Sequence, residues 1–212
     1  MRKTIATGLS VLLHPMLMPT YGILLFFFGM KGTVYDYMTP EPLKWRLTLI
    51  VLVFTFVFPS INLFVLYKLQ RIGDLTLSEQ RERTFPYLVT SLFYFGLFYL
   101  LMDVNLWPEI KLFILGAGLA IVLTALINTV TKISAHMVGI GGLTGVTIAL
   151  SYLARLDLMG AIVVLIITAG VIGTARLVLA AHTAQQLYLG FGLGLLVQLM
   201  MLYIGLGGGF FV

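Results

Sequence analysis

Seven apolar runs, at roughly 6–30, 46–67, 86–102, 109–130, 137–154, 160–180 and 186–206, dictate what this chain can become. Each is long enough, as a helix, to cross the roughly 30 Å of hydrocarbon in a bilayer. That layer holds no water for unpaired backbone groups, and a helix satisfies its own within one segment. The expected fold is therefore all-α, a polytopic transmembrane helical bundle of six to seven membrane segments. It forms a single integral membrane domain over residues 1–212. Composition leaves no soluble alternative: 60% of the residues are hydrophobic and 10% charged, where a soluble domain carries about 25% charged.

The first run follows a basic start, "MRKTIATGLS", lacks a small-x-small cleavage site and continues too far for a secretory leader. It reads as an uncleaved span. Pro15 and Pro19 interrupt it, and Pro59 interrupts the second, so kinks or partial spans are expected there. Trp45, Trp107, Tyr35, Tyr37 and Tyr87 fall near segment ends, where interfacial aromatics belong. With no cysteine in the chain there is no disulfide or thiolate metal site. The net charge of +5 is dispersed, with no basic patch interleaved with aromatics, which excludes nucleic acid as a partner. It suits membrane lipids or an anionic substrate.

Counting spans sorts the polar loops. Arg71, Arg81 and Arg83 follow the second run, Lys132, Ser134 and His136 come two crossings later, and Arg176 and His182 two later again. An even number of crossings returns the chain to the same side, so these residues share one face. The other face holds Lys31, Asp36, Glu41, Lys44, Arg46, Asp103, Glu109, Lys111, Arg155 and Asp157, and reads as a solvated rim of mixed sign. On the first face, Arg81 and Arg83 with Glu79 and Glu82 read as a solvated ion-pair loop, with phosphate contact the lesser alternative.

Helical geometry constrains the clusters further. Arg176 and His182 are six residues apart, about 240° around a helix, so they converge only if the helix ends between them. The same holds for Ser134 and His136. His182 and Gln186, four apart, are neighbours on one helical face, and the amide can hydrogen-bond the imidazole. Two histidines among cations, without a carboxylate, make a poor divalent-metal site. They suit chemistry on an anion: guanidinium groups clasp phosphate, one histidine attacks phosphorus and the other protonates the leaving oxygen. His14 stands alone beside a proline and reads as structural. Gly141/Gly145 and Gly190/Gly194 have the spacing of small-residue helix contacts. The run "GFGLG" lies within an apolar helix and is no dinucleotide loop.

These residues resemble the type 2 phosphatidic acid phosphatase superfamily of membrane lipid phosphatases. The family's second motif, Pro-Ser-Gly-His, is matched by Ile133-Ser134-Ala135-His136. Its third, Ser-Arg, five residues, His, three residues, Asp, is matched by Ala175-Arg176, five residues, His182, three residues, Gln186. Gly190 and Gly194 match the glycines that follow. The resemblance covers about 120–206, leaving 1–119 placed by apolar runs alone. It implies that His182 is a nucleophile forming a phosphohistidine, that His136 is the general acid, and that Arg176 clamps phosphate. Ser134 and the backbone N–H of Ala135 would bind phosphate oxygens, with no metal or other cofactor. The family's first motif, a lysine and an Arg-Pro separated by six residues, is not present as such. Lys132 is the candidate to replace one of its charges, with Arg81 and Arg83 as alternatives.

The implied substrate is a lipid phosphate or a polyprenyl phosphate or diphosphate. Gln186 in place of aspartate sets up the contrary reading. In serine proteases an amide at the corresponding triad position costs about 10⁴-fold in turnover, because the imidazole adopts the wrong tautomer. The alternative function is thus a catalytically impaired homologue that binds or transports a lipid phosphate, or a membrane scaffold. Orientation is read two ways. The site face carries eight basic residues against five, which by the positive-inside rule makes it cytoplasmic. Setting aside Lys132, Arg176, Arg81 and Arg83 as functional leaves four against five. The resemblance implies an extracytoplasmic site in a bacterial inner membrane.

Overall fold

The computed structural model describes residues 1–207, and those residues form helices and connecting loops without a strand. Seven helical stretches are long and apolar enough to cross a membrane: Arg2–Gly29, Glu41–Lys68, Gln80–Met102, Pro108–Asn128, Ala135–Leu153, Met159–Val178 and Ala184–Gly207. They coincide with the seven apolar runs to within a few residues, and the chain is an integral membrane protein of the expected all-α class.

The first stretch is not one helix. α1 (Arg2–Leu12) ends at Leu13, His14 is extended, and Pro15–Leu17 make a single 3₁₀ turn before α2 (Met18–Leu24). Pro15 has no N–H to continue the ladder and forces the residue before it out of the helical region. The two halves then part company: α1 packs on α9, whereas α2 packs among α4, α7 and α8. A one-turn helix, α3 (Val34–Tyr37), caps the far end. The second stretch joins α4 (Glu41–Leu52) to α5 (Phe58–Lys68) through a π-turn at Val53–Val57. Pro59 explains it, since a widened turn relieves the clash between its ring and the carbonyl of Thr55.

α6 (Thr84–Met102), α7 (Pro108–Asn128), α8 (Ala135–Leu153), α9 (Met159–Val178) and α10 (Ala184–Gly207) complete the bundle. Of the seven stretches, α8 has the lowest hydropathy and the greatest burial, 67% of its apolar window against 17% for α9. In a bilayer this inversion is expected: lipid-facing helices need large apolar side chains, whereas a central helix needs small ones so that its neighbours can approach. The small residues make the α8–α10 seam. A Cβ on Gly190 would stand 2.8 Å from the Ser134 carbonyl, and one on Gly145 would stand 2.5 Å from that of Leu195. One on Gly194 or Gly141 would collide with the carbonyl of Val138 or Phe191. Both helices start on the same face, so this seam holds Ser134 close to the first turns of α10.

Two expectations are corrected at the far face. Lys44 is not a solvated rim charge: it is 2% exposed and paired with Asp36 (2.6 Å) and Glu41 (3.0 Å). Tyr35 is likewise not an interfacial aromatic. It is buried, donates to Glu109 Oε1 at 3.0 Å and stacks edge-on with Trp107.

Candidate functional site

On the opposite face, three loops and the break in the first span meet. The first loop is tied down by α7: Asn128 Nδ2 donates to the Gln80 carbonyl (2.8 Å) and Gln80 Nε2 to the Asn128 carbonyl (2.7 Å). This pins the start of α6, and Arg83 turns inward there. Its Nε donates to the Leu77 carbonyl at 2.6 Å, and the residue is 5% exposed. The solvated ion-pair reading is thereby corrected for Arg83, and neither Arg81 nor Arg83 forms an ion pair among the described residues. Arg81 is exposed and stays outside the cluster. Tyr87, one turn beyond Arg83, lies beside Arg83 and Arg176.

The second loop leads into α8. Ser134 occupies the N-cap position, yet its side chain makes no capping bond; its Oγ is fully buried and has no partner. His136, in the first turn, places Nε2 3.0 Å from the Ser10 carbonyl. A carbonyl only accepts, so Nε2 carries the proton and Nδ1 is the nitrogen left to exchange one.

The third loop follows α9, which ends inside the cluster as convergence requires. Ala181 N–H bonds back to the Arg176 carbonyl (3.1 Å) and Ala180 N–H to that of Leu177 (2.9 Å), with Ala180 at φ +50°. This is a Schellman stop with alanine where glycine is usual, and it turns the chain back so that His182 re-enters beside Arg176. Arg176 Nη1 donates to Ser10 Oγ at 3.3 Å, and its Nε is buried without a partner.

His182 is buried at the start of α10. Its Nδ1 lies 3.1 Å from Gln186 Oε1, and the same oxygen accepts the Thr183 N–H at 3.2 Å, while Thr183 Oγ1 accepts the Gln186 N–H at 3.4 Å. Thr183 and Gln186 thus form a reciprocal capping box. Because Oε1 already accepts a backbone N–H, it is an oxygen and not a nitrogen, and His182 Nδ1 must donate to it. The lone pair therefore resides on Nε2, as an aspartate would arrange it. Burial first, and then the charges of Arg83, Arg176 and Lys132, push the imidazole down from its ordinary 6.5 to about 4, against the opposing bond to Gln186. His182 is neutral at pH 7. Lys132, half-buried, is held below its usual range by burial and by Arg83 and Arg176, with exposed Glu79 opposing.

His14 has the structural role expected beside a proline, as N-cap of the Pro15–Leu17 turn, but it does not stand alone. Its ring stands edge-on to His136 at 5.7 Å between centroids, and its Nδ1 accepts the Met16 N–H at 3.3 Å. Nothing in spacing along the chain connects residue 14 to residue 136; only the broken first span brings them together. Ser10 escapes notice in the sequence for the same reason. The Thr183–Gln186 box, by contrast, is a local pattern that the sequence displays openly.

A narrow crevice with room for about 90 Å³ descends from this cluster toward the bilayer centre. Tyr87 and Ala135 line its upper end and Tyr94, Phe113, Leu143 and Gln198 its lower part. Among the described residues, no three His, Cys, Asp or Glu side chains gather as a set of metal ligands would. The class defined so far is a polytopic helical membrane protein with a buried cationic, histidine-bearing cluster at one face. No protein-family model, curated protein or solved structure matches the chain.

Proposed function

We propose that this protein is a lipid phosphate phosphatase that works through a phosphohistidine on His182. The observation that carries the reading is the state of that side chain: neutral, with Nδ1–H held by Gln186 and the Nε2 lone pair free, among Arg83, Arg176 and Lys132. The N-termini of α8 and α10 reach the same place and add their positive ends. Such a cluster lacks a negative partner for its cations, and a phosphate supplies one. The unpartnered Ser134 Oγ and Arg176 Nε are a donor pair suited to its oxygens. Spacing shared with the phosphatidic acid phosphatase motifs supports the same assignment.

In this reading the substrate binds as a phosphate monoanion whose proton passes to His136 Nδ1. His182 Nε2 attacks phosphorus, the bond to the lipid oxygen breaks, and that oxygen takes the proton from His136 Nδ1. Water then attacks the phosphohistidine, returns a proton to His136 and releases inorganic phosphate. The crevice takes an apolar chain of the substrate. Orientation follows the family, with the cluster on the extracytoplasmic side.

The test is phosphate release by the detergent-purified protein from phosphatidic acid, phosphatidylglycerol phosphate and polyprenyl phosphates and diphosphates, with and without EDTA. Release that survives EDTA and is abolished in His182→Ala is expected. Binding of these lipids without release, lost in Arg176→Ala but kept in His182→Ala, would replace the phosphatase with a lipid-phosphate binding or transport protein.

A further inference from the structure

α1 contributes more to this face than an anchor. Its helical ladder closes with Leu13 N–H on the Leu9 carbonyl, so the carbonyls beyond Leu9 need partners from elsewhere. The Leu12 carbonyl is met by the Tyr21 hydroxyl at 2.6 Å and the Ser10 carbonyl by His136 Nε2 at 3.0 Å. Ser10 also receives Arg176 Nη1 on its hydroxyl at 3.3 Å, and it is 6% exposed in a helix whose only other buried residue is Ala6. The C-terminal end of a helix carries about half a negative charge. Here that end faces a guanidinium and an imidazole in a cluster whose inner residues include no carboxylate.

Resting on the phosphoryl-transfer reading above, we propose that Ser10 is a positioning residue of the site, acting through Arg176 and His136 from the broken end of α1. Its hydroxyl holds one amino group of Arg176 and so leaves Nε and the other amino group aimed at the anion. Its carbonyl holds His136 as the Nε2–H tautomer, so that proton exchange with the leaving oxygen runs through Nδ1. The partial charge of the helix end balances Arg176, and His136 while it holds a second proton, without a titratable acid that would repel phosphate. His14, edge-on to His136 and tied by its own Nδ1 to the Met16 N–H, limits the swing of the second imidazole.

The experiment uses the full chain in detergent with orthovanadate as the phosphate analogue. Dissociation constants are measured for the wild type, Ser10→Ala, Ser10→Thr and Thr7→Ala, and the tautomer of His136 is read by ¹⁵N NMR of the histidine-labelled wild type. Thr7→Ala is the control for α1 helicity, because the Thr7 hydroxyl faces away and bonds to the Lys3 carbonyl. Ser10→Ala should bind vanadate about tenfold more weakly, the value of a hydrogen bond to a charged group. Ser10→Thr and Thr7→Ala should stay within about twofold of the wild type on the same scale, and His136 should carry its proton on Nε2. Unchanged binding by Ser10→Ala, an equal loss in Thr7→Ala, or a proton on His136 Nδ1 in the neutral ring would each overturn the role of Ser10 alone. A wild type that binds no vanadate would overturn it together with the phosphate reading.

Discussion

Gln186 illustrates how one side chain can serve two ends. As the third residue of a capping box it satisfies the start of α10, and the geometry that does so directs its oxygen at His182. The cost expected of an amide, a wrong tautomer, is thereby removed, because the Thr183 N–H fixes which atom faces the ring. The low pKa of His182 then has a kinetic consequence. A nucleophile must be unprotonated, so kcat/KM should hold as pH falls through 6.5 and decline only near 4. Gln186→Glu keeps the cap and adds a carboxylate that favours the imidazolium, so the acid limb of the same profile should move upward. Arg83→Ala should raise KM roughly tenfold or more, as loss of a charge-assisted contact does, while Arg81→Ala leaves it unchanged. Ala180 sits in the left-handed region at φ +50°, and Ala180→Gly should stabilise the protein by about 1 kcal/mol in thermal unfolding. The histidine, arginine and serine identities were all legible in the sequence. The contacts of Ser10 with Arg176 and His136, and of His14 with His136, were not, because no local spacing couples them to their partners.

At the level of helices, the glycines decide more than the hydropathy. α8 and α10 meet backbone to backbone, and neither partner in such a contact can yield by changing a rotamer. Gly194→Ala would set a methyl against the Val138 carbonyl and should cost about 1–3 kcal/mol of stability, separating Ser134 from α10 as it does so. Gly192→Ala, two residues away on an open face, should be neutral or stabilising by up to about 1 kcal/mol. Melting temperatures of the two variants in one detergent compare them directly. The Gly-x-x-x-Gly spacing is enough to indicate close packing of these helices. That the two glycine pairs pack against each other's helices, and so align the two site motifs, is a tertiary fact. The helix breaks divide in the same way: prolines mark where α1 and α4 stop, whereas the separate docking of α1 on α9 is a matter of what surface each half meets.

For the whole molecule, span parity makes a prediction that needs no assumption about activity. The chain has no cysteine, so single substitutions serve as reporters without a cleared background. In intact vesicles Ser78→Cys and Thr129→Cys should react with an impermeant maleimide from one side, and Asp103→Cys and Asp157→Cys from the other. Labelling of Ser78→Cys and Thr129→Cys from opposite sides would break the even count and with it the convergence of the three loops. Apolar run length is sufficient to establish the class of fold and to expect six to seven membrane segments, and span parity to expect a shared face for Arg83, Lys132, His136, Arg176 and His182. Those properties follow from hydrocarbon thickness and from counting, which are local and additive. Other features emerge only when the helices are assembled: Arg83 turns inward while Arg81 does not, Lys44 is buried at the far face, and Ser10 and His14 reach Arg176 and His136. Each depends on which helix stands beside which. In a bilayer that choice is made by shape and hydrogen bonding between helices, because lipid is as apolar as the side chains and hydrophobic pattern cannot distinguish one neighbour from another.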